Sequence, residues 1–140
     1  MASLAKRLQC SFVLIVVASG IANIAVAPSA SAEVDVTYEV VSETITAANV
    51  EYYDRSVRIA QQRVALPWRI TVPVVDARSP TSDGAQIRAD WRGYGRWRYK
   101  YVSVRIYLGG ELLCESTLDV GNATCYGSVP HRNFPQTAGG

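Results

Sequence analysis

The sequence predicts an all-β domain, namely an immunoglobulin-like β-sandwich of seven or eight short antiparallel strands. Apolar and polar residues alternate with a period of two in most segments after residue 33, and turn residues separate these segments. Helical spacing of apolar residues is weak over the same region. This combination is typical of two packed sheets that share one core. A small β-barrel is the alternative that the same alternation allows.

Four of the predicted strands lie in the first half of the domain. Residues 34–40, 48–52 and 68–74 alternate between apolar and polar side chains, and residues 57–59 do so over a shorter stretch. Residues 57–66 can also be written as one amphipathic helix, since some of their apolar residues fall at helical spacing. Strands are favoured because this window is short and ends at a proline.

The remaining strands follow a loop rich in serine, proline and glycine at residues 79–84. Apolar residues alternate again at residues 85–91 and 102–108, and a further pair of strands is predicted at residues 112–118 and 123–125. Gly109 and Gly110 predict a two-residue hairpin turn, because glycine readily adopts the positive φ that such turns require.

Four residues are predicted to form structural core. Tyr38 and Tyr52 belong to the alternating apolar sets of the first two strands. Pro67 fixes φ and ends a segment, and Trp68 is expected to enter the core directly after it. Pro73 cannot donate to a sheet ladder, so its strand is expected at a sheet edge or a bulge.

The N-terminal region is predicted to be an export signal covering residues 1–32. A basic start is followed by an apolar stretch and by Ala30-Ser31-Ala32, a small-x-small cleavage site. A retained anchor formed by residues 8–27 is the alternative, since a membrane helix needs about 20 residues. Residues 33–129 are then the β-sandwich domain and residues 130–140 a flexible tail. We expect the protein to be secreted or held in the cell envelope outside the cytoplasm.

Cys114 and Cys125 are predicted to form a disulfide. They are the two cysteines that remain after the signal, and exported proteins meet an oxidising compartment. Both fall on the inward set of neighbouring strands around the turn at residues 119–122, so the bridge is expected to staple that hairpin to the core. The only histidine, His131, lies in the predicted tail, and no metal or cofactor site is predicted.

Charge and composition argue against nucleic-acid binding and against catalysis. Lys6 and Arg7 account for the formal net charge of +2, so the exported part is neutral, whereas nucleic-acid-binding domains are usually basic. A serine hydrolase needs a base placed against its nucleophile, and the acidic pairs in the sequence are typical of solvated strand faces. No catalytic residues are predicted.

One segment interleaves basic and aromatic side chains after the strand that ends near residue 91. Arginine binds anionic oxygens through two parallel hydrogen bonds, and tyrosine and tryptophan present amphipathic rings. This pattern predicts a surface for anionic headgroups or for an acidic partner. A plain β-hairpin with solvated arginines is the alternative. The candidate residues are Arg92, Tyr94, Arg96, Trp97, Arg98 and Lys100.

Several motifs resemble the MmpS family, the small mycobacterial membrane proteins. They are Val36-Thr37-Tyr38-Glu39-Val40, Tyr52-Tyr53-Asp54, Leu66-Pro67-Trp68 with Thr71-Val72, and the run from Val104 to Gly110. The resemblance implies a non-enzymatic accessory of an MmpL-type transporter that exports envelope lipids or siderophores. The family retains its apolar segment as an anchor, and its first cysteine usually lies near the position of Val104. A freely secreted β-sandwich that binds an envelope lipid, glycan or protein is the alternative function.

Overall fold

The computed structural model describes residues 26–27, 31–94, 99–130 and 132–133, and all of its regular structure is β-strand. Among these residues, no helix has the length and hydrophobicity that crossing a lipid bilayer requires. The strands are β1 Val34–Val41, β2 Ala47–Asp54, β3 Val57–Ala65, β4 Trp68–Val74, β5 Gln86–Asp90, β6 Val102–Leu108, β7 Glu111–Leu118, β8 Asn122–Tyr126 and β9 Arg132–Asn133.

The strands form two sheets that pack face to face. The first sheet contains the antiparallel strands β4-β1-β6-β7, and the short strand β9 adds to β7 in parallel. The second sheet contains the antiparallel strands β3-β2-β5-β8. The sheets remain separate, so the predicted β-sandwich is confirmed and the closed barrel is wrong. Strand β9 lies within residues 130–140, for which the sequence predicts a flexible tail.

Most connections carry the chain from one sheet to the other. The β2–β3 and β6–β7 connections are hairpins, whereas every other connection among β1–β8 changes sheets. The β6–β7 hairpin turns at Gly109 and Gly110, both with positive φ, as predicted. The β2–β3 hairpin turns at Arg55 and Ser56, which also have positive φ although neither is glycine.

The alternative helix at residues 57–66 is wrong, because this segment is strand β3. It pairs with β2 along its length, and a bulge interrupts the ladder where Arg63 has positive φ. The backbone N–H of Arg63 donates to the side-chain oxygen of Asn49 at 3.0 Å, which holds the bulge in place. Strand β3 is an edge strand with an exposed outer side, so its apolar residues do not follow a clean alternation.

The core lies between the two sheets. It is formed by every second residue along the strands, whose side chain points toward the opposite sheet. Trp91 and Tyr38 are its largest fully buried side chains. The hydroxyl of Tyr38 donates to the carbonyl of Tyr53 at 2.9 Å and accepts the N–H of Gln86 at 3.3 Å. Tyr38 belongs to the first sheet and both partners belong to the second, so one buried side chain connects the two layers. Burial raises the pKa of Tyr38 well above its usual value.

The predicted core residues divide into two groups. Tyr38 and Tyr52 are buried, with ring centroids 5.5 Å apart, and Trp68 is half-buried beside Tyr52 at the margin of the core. Pro67 is exposed, so its prediction as core is wrong, because it lies in the short turn between β3 and β4. Pro73 lies in β4 at the edge of the first sheet, as predicted.

Cys114 and Cys125 form the predicted disulfide, but the bridge joins different elements from those expected. Cys114 lies in β7 of the first sheet, whereas Cys125 lies in β8 of the second. Strand β8 pairs with β5, so β7 and β8 are not a hairpin. The disulfide therefore ties one sheet to the other through the fully buried core, and the predicted hairpin staple is wrong.

We expect replacement of both cysteines by alanine to lower the free energy of unfolding by about 2–3 kcal/mol. The cysteines are separated by 11 residues, and closing a loop of this size restricts the unfolded chain by about that amount. Urea unfolding of the oxidised protein and of the double variant Cys114→Ala, Cys125→Ala measures the difference. A double variant with the stability of the oxidised protein would contradict the expected contribution of the bridge.

Candidate binding groove on the outer face of the first sheet

A row of alternating charges crosses the outer face of the first sheet. Glu39 of β1 stands opposite Arg69 of β4 and Arg105 of β6, and Arg105 stands opposite Glu115 of β7. We call the four residues Arg69, Glu39, Arg105 and Glu115 the charged row. Opposite charges in register contribute favourably to strand pairing, so the row supports the alignment of these strands.

Arg105 is the centre of the charged row. Its Nε donates to Glu115 at 2.8 Å and its Nη1 donates to Glu39 at 3.0 Å. Partial burial by itself would lower the pKa of Arg105, but the hydrogen bonds to Glu115 and Glu39 raise it overall. Glu115 is buried although it lies on an outward strand position. Its carboxylate is stabilised there because it receives a charged hydrogen bond from Arg105.

Tyr107 lies beside the charged row and orders one of its carboxylates. Its hydroxyl donates to Glu39 at 3.2 Å, and the guanidinium of Arg69 lies 5.4 Å from its ring centroid. Burial raises the pKa of Tyr107, and the neighbouring negative charge of Glu39 raises it further. Tyr107 therefore remains protonated at neutral pH and acts as a hydrogen-bond donor.

A groove of about 590 Å³ lies next to the charged row, a volume in the range of small-molecule sites. Its floor is the outer face of β1, β6 and β7, and its walls are residues 42–44 and 100–101. A depression on the outer face of the second sheet has only about 110 Å³. The groove is lined by Val41, Ser42, Glu43, Thr44, Lys100, Tyr101, Ser103, Arg105 and Thr117.

The groove offers hydroxyl groups, the cation of Lys100 and the carboxylate of Glu43. Ser42 holds one wall together, since its hydroxyl donates to the carbonyl of Tyr101 at 2.7 Å and accepts the N–H of Ile45 at 3.0 Å. Ser103 and Thr117 pair through their hydroxyls on the floor. Arg105 is neutralised by its carboxylates, whereas Lys100 has no carboxylate partner among the described residues. Glu43 lines the same groove and also has no ion-pair partner among the described residues. An anionic ligand would therefore meet the ammonium of Lys100, and a ligand rich in hydroxyl groups could bind the polar floor.

Exposed aromatic side chains stand on both sides of Lys100. Tyr99 is 63% exposed and Tyr101 is 50% exposed, values that are unusual for such large side chains. Tyrosine is amphipathic, so it can contact an apolar surface while its hydroxyl remains solvated. The pattern of residues 99–101 favours contact with a surface that is apolar and anionic at once.

The structure separates the residues that the sequence predicts as one binding segment. Lys100 lines the groove on the first sheet, whereas Arg92 and Tyr94 lie against the second sheet. Arg96, Trp97 and Arg98 lie outside the described residues. No single surface of the described chain brings Lys100 together with Arg92 or Tyr94.

Arg92 and Tyr94 make internal contacts. The guanidinium of Arg92 forms a bidentate ion pair with Asp90, and these hydrogen bonds lower the pKa of the Asp90 carboxyl. The Arg92 side chain also fills the space over Gly121, where a Cβ would lie 2.2 Å from it. The hydroxyl of Tyr94 donates to Asn49, and Arg63 lies 5.5 Å from its ring centroid. Both residues therefore hold the chain after β5 onto the second sheet.

Sequence reasoning missed the groove residues other than Lys100. Ser42, Ser103 and Thr117 are unremarkable in the sequence, and they meet because β1, β6 and β7 are neighbours in the first sheet. Arg105 alternates with apolar residues, a pattern that indicates an outward position. Glu39, Arg105 and Glu115 are far apart in the sequence, so no local pattern predicts that they meet. Only the register of the sheet brings them together.

Comparisons with known proteins leave the family resemblance as a hypothesis. No protein-family model matches the chain, and no curated protein is significantly similar to it. Within the described ranges, no three His, Cys, Asp or Glu residues cluster closely enough to hold a metal ion. His131 lies outside those ranges.

We expect Arg105→Met to lower the free energy of unfolding by about 2–3 kcal/mol. The change removes both hydrogen bonds of the Arg105 side chain, which is 28% exposed, and leaves Glu115 without a cation among its described contacts. Arg69→Met is the matched control, because Arg69 is 60% exposed and lies 3.3 Å from Glu39. Its loss should stay below about 1 kcal/mol. If urea unfolding shows equal losses of stability for the two variants, Arg105 does not contribute more to stability than Arg69, which contradicts this expectation.

Proposed function

We propose that this chain is an exported, non-enzymatic accessory protein of the MmpS type, which assists an MmpL-type exporter of envelope lipids or siderophores. The groove beside Lys100 is the observation that carries the proposal. It combines hydroxyl groups, the ammonium of Lys100 and flanking tyrosines, which suit an amphipathic anionic cargo that meets Lys100 at the side of the groove away from Glu43. An accessory protein of an exporter has to contact such a cargo without reacting with it.

The rim of the groove has the chemistry that contact with an anionic membrane surface requires. Lys100 and its neighbouring tyrosines project at the rim, so an anionic headgroup can meet the ammonium while the rings contact acyl chains. The floor is held rigid by the strand pairing of the first sheet and by the charged row. A rigid floor with hydroxyl groups favours a headgroup that carries several oxygen atoms.

A freely secreted binding module is the second candidate. The small-x-small motif at residues 30–32 favours it, because cleavage there would release the domain from the membrane. N-terminal sequencing of the protein from a mycobacterial host distinguishes the two candidates. A retained apolar segment supports the transporter accessory, and a start at Glu33 supports the secreted module.

We expect Lys100→Glu to weaken binding to anionic vesicles by at least about ten-fold at low salt. Each lysine near an anionic surface contributes about 1 kcal/mol, and a charge reversal counts twice. Co-sedimentation with phosphatidylglycerol vesicles measures the effect, and phosphatidylcholine vesicles show the part that does not depend on charge. Melting temperature should not change, because Lys100 is exposed and makes no described ion pair.

Arg78→Glu is the matched control for this charge reversal. Arg78 is exposed and lies near Glu111, at the opposite end of the first sheet from the groove. It should leave vesicle binding within about two-fold of the wild type, since it lies outside the contact with the surface. An equal loss of vesicle binding in both variants would show that only the net charge of the protein matters. It would contradict the proposal that the groove beside Lys100 binds the anionic surface. Chemical cross-linking in envelope extracts then tests for an MmpL-type partner, and its absence would overturn the transporter role.

A further inference from the structure

The edges of the two sheets are protected unequally. In the first sheet, β4 carries Pro73, which lacks an N–H, and β9 pairs with β7 at Glu115 and Ser116. In the second sheet, β3 is interrupted by the bulge at Arg63 and carries Arg58. Strand β8 forms the other edge of the second sheet. It is unpaired on its outer side among the described residues, and it contains no proline, bulge or charged residue.

Hydrogen bonds at both ends of β8 show which of its backbone groups face outward. The N–H of Gly127 donates to the carbonyl of Ala85, and the N–H of Trp91 donates to the carbonyl of Gly121. Hydrogen-bonded pairs alternate along an antiparallel ladder. The hydrogen-bonded pairs with β5 therefore include Ala123 and Cys125. The backbone groups of Asn122, Thr124 and Tyr126 point away from β5, toward the open edge.

The outward residues of β8 are complementary to a second copy of themselves. When two β8 strands pair antiparallel about Thr124, each Asn122 lies opposite the other strand's Tyr126. The outward N–H and carbonyl groups then meet as hydrogen-bonded pairs. The side chains on the outer face of β8 are neutral, so no like charges face each other. The carbonyl of Tyr126 already accepts the N–H of Val129, and its second lone pair remains for the ladder.

Exposed apolar side chains stand at both ends of the same edge. Val120 precedes β8 and is 58% exposed, and Val129 follows it at 58%. Tyr126 is 43% exposed at the end of the strand. A two-fold axis through Thr124 reverses one strand against the other, so Val120 of one protomer approaches residues 127–129 of its partner. Each protomer thereby covers the apolar side chains of the other, as in an isologous interface.

We propose that two copies of this chain pair through their β8 strands and join their second sheets into one continuous eight-stranded sheet. The partner is a second copy because the edge is self-complementary in hydrogen bonding, charge and apolar cover. The other sheet of each protomer, with the groove at Lys100, remains accessible on both subunits. The dimer therefore carries two grooves. The proposal that the chain dimerises does not depend on the function proposed for the grooves.

Charge pairing across the two-fold axis provides the test. Residue 124 faces its own copy, so Thr124→Lys places two ammonium groups together and should raise the dimer dissociation constant at least about ten-fold. Thr124→Glu should also weaken the dimer, but by a smaller factor, because Arg88 lies opposite residue 124 in its own sheet and attracts the new carboxylate. An equimolar mixture of the two variants should regain a dimer at least as tight as the wild type. Sedimentation velocity of the exported protein measures all four states, with circular dichroism to confirm that each variant is folded.

Gln62→Lys is the matched control, because Gln62 is exposed on β3 at the opposite edge of the same sheet. It should leave the dissociation constant within about two-fold of the wild type, since its charge lies far from the interface. If a Thr124 variant unfolds, Tyr126→Ser replaces it and should weaken the dimer by removing apolar cover. Three results would overturn the proposal. The wild type could stay monomeric at high concentration, Thr124→Lys and Gln62→Lys could have equal effects on the dissociation constant, or the mixture of the two Thr124 variants could stay monomeric.

Discussion

The passage of the chain from β7 in the first sheet to β8 in the second, locked by Cys114–Cys125, is the constraint on which the structure depends. Strand β8 can complete the second sheet only because this crossing delivers it beside β5. The disulfide lies in the fully buried core, and the hydroxyl of Tyr38 makes a second link between the layers. The two sheets are therefore held together by a covalent bond and a polar bridge, in addition to apolar packing. Such ties matter most in a small domain, whose core contributes little excess stability.

This arrangement leaves the outer faces and the edges for interaction. Inward side chains of both sheets form one buried cluster between them. The outer face of the first sheet carries the charged row across β4, β1, β6 and β7, next to the floor of the groove. The outer face of the second sheet is occupied by Arg92 and Tyr94, which fix the chain after β5. The proposed binding site and the proposed dimer contact are therefore different surfaces, the groove beside Lys100 and the edge of β8.

Much of the fold follows from the period-two pattern, while the pairing of strands does not. Alternation at Val36, Tyr38 and Val40 predicts a half-buried strand, and Gly109-Gly110 predicts a hairpin, because both signals are local. The two-residue turn at Arg55-Ser56 has no such signal, since neither residue favours positive φ. The sequence equally well places Cys114 and Cys125 on one hairpin, because inward positions look alike on either sheet. The groove depends on neighbours far apart in the chain, so of its residues the basic and aromatic pattern identified only Lys100.

Proton contacts across the strands test the crossing from β7 to β8 most directly. Arg88 and Thr124 form a non-hydrogen-bonded pair between β5 and β8, in which the Cα atoms approach to about 4.5 Å and the Hα atoms come into contact. Nuclear Overhauser spectroscopy of the labelled protein should show a strong Hα–Hα signal between these two residues. Hα–Hα signals that join β8 to β7, with none to β5, would contradict the inter-sheet position of the disulfide and the open edge built on it.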